Sequence, residues 1–259
     1  MQSPPARSRH AFKRQTGVAI GLGRQIRVAC AVLALAIGGL LVAEPASAKE
    51  VDVELVFAVD ASGSVDDAEF RLQLEGIAAA MRDPDVTAAI AAGPRGGIAV
   101  NLLVWGEARY PKDESGWFEI RSAADAETFA GLVAGFPRNQ VGGTGLGDGI
   151  AKSVSSIMDN GYTAPRMVVD VSGDGPETPP RDHTVLLPQA RMMANYHGIT
   201  INGLAILNES PDLDDYYRSQ MIMGQGSFVE VAADYADFAR AMKRKLLREV
   251  QPEPVVGMR

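Results

Sequence analysis

Cysteine is almost absent: Cys30 stands alone among 259 residues. It lies inside the apolar run Val28 to Ala43, so the chain after that run cannot form a disulfide and must rely on a buried core. Histidine is scarce too. After His10 there are only His183 and His197, separated and without acid-rich spacing around them, which excludes a zinc site built on nitrogen and sulfur. Basic clusters are missing until Lys243-Arg244-Lys245, which reads as the solvated face of a terminal helix, so a phosphate-binding footprint is lacking. Catalytic signatures are missing as well. There is no Gly-x-Ser-x-Gly elbow and no Asp-x-Asp after the first strand. The glycine-rich Gly143-Thr144-Gly145-Leu146-Gly147 does not follow a strand, as a dinucleotide fingerprint must.

The N-terminus is unlike the rest. Arg7, Arg9, Lys13, Arg14, Arg24 and Arg27 precede the apolar run, and Ala46-Ser47-Ala48 offers a small-residue cleavage pattern. Residues 1–48 therefore read as a signal peptide directing export to the periplasm or the cell exterior, and the apolar run is shorter than the ~20 residues of a spanning helix. Stable membrane insertion is not expected after cleavage. The leader holds six of the 25 Lys and Arg residues and one of the 32 Asp and Glu residues, leaving 19 against 31, near −12. Such a surface disfavours nucleic acid and attracts divalent cations. Residues 49–249 suffice for one domain, and 250–259, with two prolines, reads as a disordered tail.

Within that domain, strands and helices alternate. Strands are expected at 52–60, 96–105, 116–120, 166–172, 199–206 and, at an edge, 227–231. Helices are expected at 66–82, stopped by Asp83-Pro84, and at 123–133, 146–158, 184–197, 212–221 and 235–248. Phe70, Leu74, Ile77 and Met81 set the helical period in the first of these. The pattern predicts an α/β fold: one doubly wound, mainly parallel sheet with helices on both faces. Trp105 is expected in its core.

Sites in such sheets lie at the carboxyl ends of strands. Three segments converge there: Asp60-Ala61-Ser62-Gly63-Ser64, the loop holding Thr144, and Ser172-Gly173-Asp174-Gly175. Each offers oxygen and little else, which suits Mg²⁺ or Mn²⁺.

At Asp60, Ser62, Ser64, Thr144 and Asp174 the chain resembles the von Willebrand factor A domain and its metal-ion-dependent adhesion site. At Ser172 to Pro176 it is also similar to a group of exported bacterial proteins of uncharacterised function. The resemblance implies a Rossmann-like sheet with one antiparallel edge strand. It implies that Ser62, Ser64 and Thr144 bind the cation directly while Asp60 and Asp174 act mostly through waters. It further implies binding without catalysis, the guest at the open coordination position being an Asp or Glu of a partner protein. One departure stands out: Gly173 precedes Asp174 where a threonine is commoner. The competing reading is a Mg²⁺-dependent hydrolase, with Asp60 as the nucleophile of a phosphohydrolase or Ser62 as that of an esterase. Of the lysines, only Lys152 is expected near the site.

Overall fold

The computed structural model describes residues 48–178 and 184–251. The expected leader with Cys30, the residue His183 and the tail beyond 251 lie outside these.

The apolar run after Asp52 forms β2 (Val53–Asp60), in which every residue is buried. It is preceded by a two-residue strand, β1 (Lys49–Glu50), paired in parallel with β5 (Tyr162–Thr163). The main sheet has six strands in the order β4 (Asp113–Ile120), β3 (Ile98–Trp105), β2, β6 (Arg166–Gly173), β7 (Thr200–Ile206) and β8 (Val229–Ala232). All neighbours run parallel except β3 and β4. The antiparallel strand is thus at 113–120, longer than the expected 116–120, while the edge strand near 227–231 is parallel.

Helices cover both faces. On one, Leu55, Phe57 and Val59 pack with Leu74 and Ile77 of α1 (Asp67–Arg82), Phe129 of α3 (Ala123–Ala134) and Phe238 of α7 (Phe238–Val250). On the other, Val56, Ala58 and Trp105 pack with Leu146 and Ile150 of α4 (Leu146–Met158) and Ala190 of α5 (Leu187–Tyr196). Coverage of both faces explains why β2 is continuously apolar from Leu55 to Val59 rather than alternating. Among the described residues no helix is long and apolar enough to cross a membrane.

Several local differences from the sequence pattern have physical causes. Asp83-Pro84 does end α1, but a second helix, α2 (Pro84–Ala91), restarts at once. Asp83 is extended and caps it by accepting from Asp85 N–H at 2.9 Å, and Pro84 occupies the first turn, where a missing N–H costs nothing. Helix α5 begins at Leu187 rather than 184, because in a helix the ring of Pro188 would clash with the carbonyl four residues earlier. The expected helix at 212–221 is a short α6 (Leu213–Tyr216) followed by a π-helical turn, Tyr217–Met221.

Lys243-Arg244-Lys245 is not a solvated face throughout. Lys243 pairs with Asp83 at 2.8 Å and Arg244 with Glu230 at 2.5 Å, but Lys245 is fully buried. Its Nζ lies 2.6 Å from Asp170 of β6 and 2.5 Å from Glu249, one turn on in α7. Asn202 of β7 donates to Glu249 at 2.8 Å, and the Phe228 ring lies 5.4 Å from the ammonium. This cluster anchors the last helix to the middle of the sheet. At the sheet's amino edge Arg166 donates to the carbonyl of Gln251 at 3.0 Å.

Removing the cation from such a cluster strands two buried carboxylates, so Lys245→Ala is expected to cost about 3–5 kcal/mol in urea unfolding. Burial, and then the Glu249 carboxylate, push the Asp170 carboxyl above its ordinary 3.8, against the Lys245 ammonium that lowers it. Because the folded value lies above the unfolded one, the stability this group contributes is complete below 3.8 and is lost as pH rises through the folded value. Unfolding free energy should fall across that interval in the wild type, and Asp170→Asn should flatten the fall.

Candidate metal centre

The chain turns from β2 toward β3 on one side of the sheet, and later enters β6 on the other side of β2. The loops after β2 and β6 therefore diverge at the carboxyl edge and leave a crevice there. The first carries Asp60, Ser62 and Ser64, the second Asp174, and Thr144 comes from the loop before α4.

All five side chains meet. Thr144 Oγ1 donates to Ser62 Oγ at 3.4 Å, Ser62 Oγ and Ser64 Oγ are 3.3 Å apart, and Ser64 donates to Asp174 Oδ1 at 2.8 Å. Asp60 Oδ1 accepts from the Ser62 N–H at 2.8 Å. Asp60, Ser62, Thr144 and Asp174 are buried, and Ser64 opens to solvent.

The loop is held from several sides. Gly63 N–H donates to the Gly142 carbonyl at 2.7 Å, and Ala61 N–H to the Trp105 carbonyl at 2.8 Å. Gly142, at φ +88°, takes a conformation that suits glycine. Arg138 draws the turn together: it donates to the carbonyls of Ser62 at 3.1 Å and of Val65, and to the Asp67 carboxylate at 2.7 Å. Below the site, Gln73 of α1 donates to the Asp60 carbonyl at 3.0 Å and accepts from Ser172 at 3.1 Å. Asp66 caps α1 by accepting from Ala68 and Glu69 N–H, and Glu69 returns a bond to the Asp66 N–H. The position of Ser64 is thereby tied to the start of a helix.

Two aromatic residues absent from the sequence reading belong to this cluster. Tyr235 donates to Asp174 Oδ2 at 3.1 Å, and the buried Tyr217 stands close to Asp60. Each lies far along the chain and reads as core. Arg138, in a stretch without regular structure, gave no signal either. Lys152 instead pairs with Glu114 at 3.3 Å, and His197 caps α5 with its ring edge-on to Tyr196.

The electrostatics are unbalanced. Asp60 Oδ2 is buried and has no hydrogen-bond partner among the described residues. Burial pushes the Asp60 carboxyl up to about 7, against the Ser62 N–H bond that lowers it, and the nearby Asp174 raises it further. Two buried carboxylates, three hydroxyls and no nitrogen or sulfur donor make a set that fits a small hard cation. Among the described residues no group of three or more His, Cys, Asp or Glu side chains is placed to hold a metal ion.

Residues 50–254 match the family described as protein of unknown function, DUF1194. Among curated proteins none matches the sequence. Solved structures share the fold at low identity. The vWF domain of the type V pili tip protein Mfa5 from Porphyromonas gingivalis is 12% identical with a TM-score of 0.51, over 80% of this chain and 98% of its own. The pilus adhesin SpaC from Lactobacillus rhamnosus GG is 13% identical with a TM-score of 0.53, over 77% of this chain. The minor pilin PilB from Streptococcus sanguinis is 13% identical with a TM-score of 0.53, over 83% of this chain. The chain spans about 30% of the SpaC chain and 65% of the PilB chain. The fold is that of a von Willebrand factor A-like domain.

The raised Asp60 value gives a test that needs no ligand. Its stability contribution is complete below the ordinary 3.8 and lost as pH rises through about 7. In chelator, above that pH, Asp60→Asn is expected to melt higher than the wild type by differential scanning calorimetry, because it removes an unpaired buried charge.

Proposed function

The chain belongs to the DUF1194 family, and from that premise we propose that it is an exported, non-enzymatic binding module that uses a divalent cation, Mg²⁺ or Mn²⁺, to capture an acidic side chain of another protein. The observation that carries this reading is the unpartnered oxygen of Asp60, buried beside Asp174 in a cluster whose every donor is oxygen. Ser62, Ser64 and Thr144 would hold the ion, with Asp60 and Asp174 behind them. A bound ion of this kind supplies a position that an Asp or Glu carboxylate can fill.

The chain's own residues prepare that position. Neutral hydroxyls in front leave positive charge available to a guest, and the carboxylates behind hold the ion without quenching it. Arg138 and the Asp66 cap fix the loop before a ligand arrives, so little ordering is left to binding. Ser64, exposed at the mouth, marks where a partner would approach.

Attachment rather than turnover is favoured on two grounds. The structural relatives are named as a pilus adhesin, a pili tip protein and a minor pilin. The Ser62 and Ser64 hydroxyls bond to each other, to Thr144 and to Asp174, none of which is a histidine or lysine base.

Calorimetric titration of Mg²⁺ and Mn²⁺ is expected to show binding by the wild type that Asp60→Ala abolishes; equal affinities would remove the cation from the account. Envelope pull-downs with and without EDTA should differ by the partner. Phosphatase or esterase turnover lost in Ser62→Ala would instead establish the hydrolase reading.

A further inference from the structure

The residue before Asp174 is a glycine for reasons of space. Gly173 is not among the positive-φ glycines, so its backbone does not require it. A Cβ there would stand 2.8 Å from Tyr217 Oη, 2.9 Å from Asp60 Oδ2 and 3.3 Å from Asp60 Cβ. The first two of these atoms are both buried and both without a hydrogen-bond partner among the described residues. Two orphaned polar atoms thus face one small space that a missing side chain keeps open, an arrangement that buried polar groups seldom retain without purpose.

Tyr217 is brought there deliberately. It opens the π-helical turn after α6 with its ring buried, and Gly203 of β7 leaves room for the ring, since a Cβ there would meet Tyr217 Cδ2 at 2.9 Å. A phenol carries its proton at neutral pH, so Tyr217 is a donor, and its oxygen has no partner among the described residues. The second carboxylate already has such a partner in Tyr235.

We propose that Tyr217 is a positioning residue for the cation: when an ion is bound, its phenol O–H, which has no partner among the described residues, donates to Asp60 Oδ2 across the space left by Gly173 and orients that carboxylate behind Ser62. This rests on the cation reading above. Gly173 and Tyr217 then form a complementary pair, and the departure at position 173 is the counterpart of a phenol elsewhere in the chain.

The test is a double-mutant cycle read by Mn²⁺ calorimetry, with melting in chelator as the control for folding. Tyr217→Phe should lower Mn²⁺ affinity by about tenfold, the usual effect of losing a group that orients a metal ligand, with little change in melting. Gly173→Ser should also lower it, by displacing Asp60 and the phenol. The combined variant should bind better than the two losses predict, because removing the phenol oxygen makes room for the serine hydroxyl beside Asp60 Oδ2. Wild-type affinity in Tyr217→Phe, or additive losses in the double variant, would overturn the role of Tyr217 and leave the cation reading standing. No Mn²⁺ binding by the wild type would overturn both. If Tyr217→Phe does not fold, wild-type affinity in Gly173→Ser overturns the pairing on its own.

Discussion

Two carboxylates, Asp60 and Asp174, sit fully buried at the edge where β2 and β6 part, and among the described residues neither is paired with a lysine or arginine. Burying like charges together is costly in a folded protein. The surroundings reduce that cost with dipoles: the Ser62 N–H on Asp60, the Ser64 hydroxyl and the Tyr235 phenol on Asp174. What is left over, one bare carboxylate oxygen, is the feature around which the crevice makes chemical sense.

The same sheet solves a similar problem differently a few residues away. Asp170 and Glu249 share the buried ammonium of Lys245, with Asn202 completing the group. There the counter-charge is supplied by the chain and the cluster is closed to solvent. At the carboxyl edge it is not supplied, and Ser64 keeps the cluster in contact with solvent. One arrangement holds a helix; the other leaves a buried carboxylate oxygen without a partner among the described residues.

Much of this was legible in the sequence because it depends on local order. The apolar runs gave the strands, the helix Leu146–Met158 was read to its ends, and the oxygen motif at 60–64 follows directly from a strand that stops. What escaped depends on residues with two roles or on distant pairings. Asp83 ends one helix and caps the next, so α2 was hidden behind a stop signal. Lys245 looks like its basic neighbours until Asp170, from the middle of a strand, is placed beside it. Tyr217, Tyr235 and Arg138 reach the site only through the tertiary fold, and none carries a local mark of it. The glycine at 173 was visible as a departure, but its reason is a side chain supplied by a later segment.

The short pairing of β1 with β5 has a directional consequence. It holds the chain at the amino ends of the strands, where Val51 N–H meets the Thr163 carbonyl, and Gln251 is tied to Arg166 at the same edge. The domain is therefore entered and left on one side while the oxygen cluster looks out on the other.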